Sequence, residues 1–192
     1  FEENSLFVDV GANVGIYSLY AAKKNHKVLA LEPESLNFSC LNLNISDNKL
    51  NKKISAFPIA ADEENKVSVL HIRNLKFGGS GNTFGRNVDS FGKAFEASFK
   101  QGSVSLKLDD IVNELNFNVN YVKIDVDGNE LKVVRGMSKT LKDKNLKSIC
   151  IELNPETSEG KEIIQILSKD FPNCRKIPWY KNQVVVDHIF EK

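Results

Sequence analysis

A chain of 192 residues with 41% hydrophobic and 27% charged side chains is long enough to enclose one sizeable core. Its 26 basic and 25 acidic residues leave a formal charge of +1, and its lysines form no basic block, which argues against nucleic acid or an anionic membrane as the main partner. No stretch approaches the ~20 apolar residues of a membrane span, and Cys40, Cys150 and Cys174 lack metal-ligand spacing.

The apolar pattern alternates between short strands and amphipathic helices. Leu6–Val10 reads as a buried strand, Val14–Lys24 as a helix, and Lys27–Leu31 as a second strand closed by Glu32-Pro33. Ser35 is the expected N-cap of a helix with Phe38, Leu41 and Ile45 on one face. Ile54–Ala60 is a third strand, and Val67–Ile72 alternates as an extra one. The stretch 73–87, dense in Gly and Asn, reads as a loop; 88–104 fits helix or strand, and Val104–Leu108 is extended. Asp109 or Asp110 opens a short helix through Leu115. Tyr121–Val126 is a strand, Glu130–Leu141 a helix, Ser148–Leu153 a strand, Ser158–Phe171 a helix, and Cys174 to Phe190 a hairpin. Such alternation predicts a single α/β domain over 1–192: a doubly wound, mostly parallel sheet with a C-terminal antiparallel hairpin. Ligands then bind beyond the C-terminal strand ends, where the strand order switches. Two of the three cysteines sit in apolar surroundings and read as buried thiols, which fits a reducing cytoplasm. Phe1 leads almost at once into a strand, so a trimmed N-terminus is expected.

The segment DVGANVG, residues 9–15, lies between the first strand and the first helix. A glycine turn there brings backbone N–H groups against a small ligand. A dinucleotide turn has G-x-G-x-x-G, whose second glycine lets the pyrophosphate lie on the backbone. Here Asn13 stands at that place between Gly11 and Gly15, and its side chain obstructs a close pyrophosphate. A ligand presenting an amino acid moiety, such as S-adenosylmethionine, tolerates this better, its charged groups meeting the turn and Asp9. Glu32 lies 21 positions after Gly11, where a carboxylate accepts ribose hydroxyls, a spacing that serves either cofactor. Asp62, after the third strand, is placed for an adenine amino group. Each of these residues also has a plain structural reading, as a tight turn or a solvated strand end.

FVDVGANVGIYSLYAA, LEPES and YVKIDVDGNELKVVRGM together resemble the FkbM-type methyltransferase family from about Leu6 to Asn154. LKLDDI (106–111) and the Gly-Ser loop 78–81 are similar to it too. Asp127 stands where the family more often has Glu, and Asn129 where a small residue is usual. The resemblance implies S-adenosylmethionine as cofactor, a seven-stranded Rossmann-like methyltransferase sheet, and an acceptor among surface-glycan sugars or secondary metabolites.

In KIDVDGNE, Asp125 ends the fourth strand at the sheet centre, and Glu152 and Asn154 end the next. Methyl transfer from an activated sulfonium gains most from alignment and water exclusion, and a hydroxyl acceptor gains from a general base. Asp125 is therefore the first catalytic candidate and Glu152 the second. Asp127, Asn129 and Glu130 also suit the start of a helix, as caps and favourable dipole charges. D-x-D-G-N is only a fragment of a calcium loop, and no metal site is expected. His71 could face the site, whereas His26 and His188 read as surface residues; Trp179 and Tyr180 read as a core or hairpin pair. A nicotinamide-dependent oxidoreductase and a non-catalytic cofactor-binding module are the competing readings. Asn13 stands against the first, and Asp125 with Glu152 against the second.

Overall fold

The computed structural model describes residues 5–88, 91, 93–178 and 184–192. β1 (Leu6–Val10), α1 (Ile16–Lys23), β2 (Lys27–Leu31), α2 (Ser35–Asp47) and β3 (Ile54–Phe57) alternate along the chain. β4 (Ala60–Ala61), β5 (Lys66–Ile72), β6 (Thr83–Phe84) and β7 (Phe99–Leu106) follow without an intervening helix among the described residues. The order closes with α3 (Leu108–Glu114), β8 (Tyr121–Ile124), α4 (Glu130–Arg135), α5 (Ser138–Lys142), β9 (Ser148–Leu153), α6 (Ser158–Leu167), β10 (Asn173–Ile177) and β11 (Val186–Glu191).

A seven-stranded sheet has the order β10-β11-β9-β8-β1-β2-β3. β3, β2, β1, β8 and β9 are parallel, and β11 pairs antiparallel with β9 and with β10, so the sheet is mixed and the hairpin is present. Alternation along β1 makes the two layers. Leu6, Val8 and Val10 join a core with residues of α3, α4, α5 and α6, whereas Phe7 joins Ala21, Ala22, Leu41 and Ile45 of α1 and α2 on the other face. The order reverses beside β1, with β2 and β3 to one side and β8 and β9 to the other. A crevice therefore opens above the C-terminal ends of β1 and β8.

The expected third strand divides. β3 ends before Pro58, which has no N–H for a ladder, and β4 joins a second, four-stranded sheet of order β4-β7-β5-β6 that the sequence did not announce. β5 pairs antiparallel with β7 from Lys66↔Ser105 to Ile72↔Phe99, which makes the open stretch before 104 a strand from Phe99 on. The loop expected over 73–87 contains the short strand β6.

Ser35 is not the cap of α2. Glu34 is, its carboxylate accepting from the N–H groups of Leu36 and Asn37. The helix expected over 130–141 breaks in two, because Asp109 of α3 accepts from the Lys139 and Thr140 N–H groups and starts α5 afresh. His26 and His188 are buried rather than exposed: His26 shares a hydrogen bond with Ser5 Oγ, and His188 lies on β11 between two strands. Cys40 and Cys150 are only partly buried and Cys174 is exposed, and none of the three belongs to a core cluster. Trp179 and Tyr180 lie outside the described residues. No helix among the described residues is long and apolar enough to cross a membrane.

Candidate active site

The turn after β1 is shaped by three left-handed residues, Gly11 (φ 80°), Asn13 (φ 51°) and Gly15 (φ 95°). Gly11 has a further constraint: a β-carbon there would stand 1.8 Å from the Asp125 carbonyl oxygen. The loops after β1 and β8 therefore touch backbone to backbone, which brings the two sequence motifs together. Asn13 can take a left-handed conformation because its side chain bonds locally; its Oδ1 accepts from the Val14 N–H at 2.8 Å.

Glu32, just past β2, is 6% exposed. Its Oε2 accepts from the Asn13 N–H at 2.8 Å and its Oε1 from the Glu34 N–H at 2.9 Å. Burial pushes its carboxyl up to about 7 despite those two donors. The carboxylate lines a cavity of about 700 Å³, counting its open mouth. Its lining combines the apolar Leu31, Ile59, Leu70 and Phe84 with the carboxyls of Glu32, Asp125 and Asp127. Among the described lining residues none is basic.

A loop of the second sheet covers this cavity. The Gly79 carbonyl accepts from Asn13 Nδ2 at 3.1 Å and from Asn37 Nδ2 at 2.9 Å, and the Gly78 N–H donates to Asn37 Oδ1 at 2.8 Å. At its other end the Gly81 and Asn82 N–H groups donate to Asp127 Oδ2 at 2.6 and 3.3 Å. Asn13, Asn37 and Asp127 thus strap the loop across the crevice. Asp127 itself has φ 56°, and burial, then the neighbouring Asp125, raises its pKa. Arg86 holds the far side, donating to Asn129 Oδ1 at 2.9 Å, to the Gly128 carbonyl, and to both Glu159 oxygens at 3.1 and 3.2 Å.

Asp125 lines the cavity with a side chain 36% exposed, and its Oδ2 accepts from Lys123 Nζ at 2.8 Å. Behind it, Glu130 Oε1 accepts from the Val126 and Gly128 N–H groups at 3.2 and 3.0 Å, and burial pushes that carboxyl up to about 7. Glu130 thus fastens the loop rather than facing the cavity. Glu152 sits at the end of β9, opposite Asp187, and borders a neighbouring small cleft with Asn154 and Glu159. Burial, then Asp125, Glu130, Asp127 and Asp187, push its carboxyl up to about 7.

Of the residues singled out from the sequence, Gly11, Asn13, Glu32 and Asp125 line one cavity. Asp9, Gly15, Asp62 and Glu152 do not. Asp9 is fully buried below the turn, where its Oδ2 accepts from Ser18 Oγ at 2.6 Å and its Oδ1 has no hydrogen-bond partner. Burial raises its pKa, against Lys123 and Ser18. Gly15 starts α1 over Leu41. Asp62 is also fully buried, its Oδ1 3.2 Å from Lys66 Nζ and its Oδ2 3.9 Å from Lys132 Nζ. Its Oδ1 is thus bonded to Lys66, its Oδ2 has no hydrogen-bond partner among the described residues, and the cavity lining at that point is made by Ala60 and Ala61. His71, on β5 opposite Thr83 and Lys100, is not a lining residue either. No group of three or more His, Cys, Asp or Glu suited to a metal ion occurs among the described residues.

Sequence reasoning missed Asn37, Arg86 and Lys123. A lysine inside the apolar strand YVKI was the one visible sign; the partners of Asn37 and Arg86 lie 41 or more positions away.

The Methyltransferase FkbM domain matches residues 9–176 of this chain. No curated protein matches it by sequence. Among solved structures, it is similar to a methyltransferase FkbM from Methylobacillus flagellatus KT, with TM-score 0.65, 15% identity, 99% of this chain and 44% of that one covered. It is also similar to a precorrin-6y C5,15-methyltransferase from Geobacter metallireducens GS-15, with TM-score 0.57, 12% identity and coverage of 100% and 81%. The N-terminal domain of human METTL16 in complex with SAH gives TM-score 0.54, 16% identity and coverage of 98% and 61%. The chain thus spans less than half of the FkbM structure it resembles.

Proposed function

The chain belongs to the FkbM methyltransferase family, and on that premise we propose that it moves the methyl group of S-adenosylmethionine to a hydroxyl oxygen of a sugar or secondary metabolite. One observation carries the cofactor: a cavity lined by three carboxylates and by apolar side chains, with no basic residue among the described lining. A ligand with a cationic end, a diol and a flat base fits this lining. A dinucleotide would bring its diphosphate to the turn after β1, in a cavity lined by Asp125 and Asp127 with no basic residue among the described lining, and like charges at close range are unfavourable. That weighs against the nicotinamide reading independently of Asn13.

In this reading Glu32 holds the ribose hydroxyls, oriented by the two N–H groups that already fix it. Gly11 and Asn13 offer turn backbone to the amino acid end, with Asp9 and Gly15 supporting that turn from below. The base lies against Ile59, Ala60, Ala61, Leu70 and Phe84. The bound cofactor supplies a methyl group already activated on a sulfonium. What remains for the protein is to align the acceptor, exclude water and receive a proton. Asp125 is placed for the last role, and the strapped loop 78–82 for covering the cavity. Glu152, beyond the cavity wall, is placed for the acceptor side. A non-catalytic module would have no use for carboxyls crowded at both strand ends.

Calorimetry tests the cofactor. S-adenosylmethionine and S-adenosylhomocysteine should bind and NAD should not; comparable binding of NAD would end this reading. Acceptors are then separated by transfer of a labelled methyl group to hydroxylated sugars and metabolites against RNA.

A further inference from the structure

Lys123 occupies an unusual place for a lysine. Val122 and Ile124 beside it point into one core of the sheet, and the Lys123 side chain turns to the opposite face with only 4% exposure. There it is enclosed by three groups. Its Nζ donates to Asp125 Oδ2 at 2.8 Å and stands 4.4 Å from the centre of the Tyr17 ring on α1. Asp9 is its direct partner in the β1–β8 register. An ammonium is costly to bury unless it is paired and shielded in this way. Burial alone would lower its pKa, yet Asp125 and Asp9 outweigh that and hold it above the ordinary lysine value.

The surroundings of Asp125 are otherwise acidic. Asp9 approaches from β1, Asp127 and Glu130 from the loop and helix that follow, and Glu152 from β9. Tyr17 approaches from α1, and Cys150 from β9 beside Lys123. We infer that Lys123 is a positioning residue: it fixes Asp125 by one oxygen, so that the second oxygen stays available to the ligand. The inference deepens the reading of Asp125 given above and rests on it for its purpose, but its test needs no ligand.

The test is carbodiimide labelling of the ligand-free protein with glycine ethyl ester at neutral pH, followed at Asp125 by mass spectrometry. A carboxyl reacts faster once the charged donor that holds and shields it is lost. Lys123→Met should speed labelling of Asp125 about tenfold or more, since the carboxyl loses the charged donor that holds it. Lys123→Arg should return it to within about threefold of wild type, since the charge is kept although the geometry is not identical. A folded Lys123→Met protein with Asp125 labelled at the wild-type rate overturns the inference, whatever happens to its melting temperature. If Lys123→Met does not fold because Asp9 is left unpaired, Asp9→Asn combined with Lys123→Met replaces it. The same acceleration is expected there, and an unchanged rate is equally fatal. Failure of the methyltransferase reading would instead appear as no S-adenosylmethionine binding by the wild type, with the labelling result unaffected.

Discussion

Glu32 and Glu152 both stand at the C-terminal ends of parallel strands, and both carboxyls are pushed up to about 7. Burial is the first cause in each, but what comes next differs in sign. Glu32 is met by two backbone N–H donors, which favour its ionised form and fix its direction. Glu152 accepts no hydrogen bond among the described residues, and the groups around it are further acids, namely Asp125, Glu130, Asp127 and Asp187. The β2 end thus holds a carboxylate fixed in direction by backbone donors. The β8–β9 end stores electrostatic repulsion near neutral pH, an arrangement suited to taking up a proton or attracting a cation.

The sharpest way to break this contrast lies at Asp125. If it takes the acceptor's proton, Asp125→Asn should cut the methyl-transfer rate by about 10²–10⁴ while leaving cofactor binding in place. Loss of cofactor affinity at an unchanged saturated rate would instead move Asp125 into the binding end.

Next in size is the junction between the two ends. Gly11→Ala combines a left-handed φ with a β-carbon 1.8 Å from the Asp125 carbonyl oxygen, so the two loops must separate. We expect a loss of at least ~2 kcal/mol in chemical denaturation. Gly15→Ala meets only the mobile end of Leu41, 2.5 Å away, and should cost about 1–2 kcal/mol, chiefly backbone strain. Equal effects at the two positions would mean that the loop contact is not what Gly11 protects.

At the β2 end, Glu32→Ala should weaken S-adenosylhomocysteine binding by roughly 1.5–3 kcal/mol in calorimetry. Because its carboxyl titrates at about 7, cofactor affinity in the wild type should rise from pH 6 to pH 8 as the accepting form fills. A flat profile would remove Glu32 from that contact.

The smallest effect expected is on stability at the acidic end. The Glu152 carboxyl is raised in the folded state from 4.5 to about 7. The folded protein therefore binds the extra proton between these values. The stability this contributes is present below about 4.5 and lost as pH rises through about 7. Glu152→Gln should flatten that dependence and stabilise the protein at pH 8 by on the order of 1–2 kcal/mol, less than the full shift because the site is partly solvated. Destabilisation at pH 8 would show that Glu152 is favourably paired after all.

How much could be read in advance depended on the range of the interaction. The strands Leu6–Val10, Lys27–Leu31 and Ser148–Leu153 were legible with their ends, because period-two apolar patterns and flanking glycines or prolines are local facts. So was the placing of Gly11, Asn13, Glu32 and Asp125 on one sheet edge, since parallel strands must end together. The second sheet was not legible. β5 pairs with β7 across an interval of about 30 residues, and β4 was cut from its apparent strand by a pairing chosen elsewhere in the chain.

The fates of Asp62 and Asp125 show the same division within the site. Each is an acid at the end of an apolar strand, and the sequence by itself determined that much: a charged group delivered to the C-terminal edge. Only the tertiary structure decided that Asp62 would be sealed under Lys66 and Lys132, while Asp125, held by Lys123, would face the cavity. The physical reason is that burial and pairing are set by which elements pack overhead. The contact between Asp62 and Lys132 joins residues 70 positions apart, where no local pattern carries information. Although Lys123 is close to Asp125 in the chain, that pair is enclosed by Tyr17 of α1 and Asp9 of β1, far back in the chain.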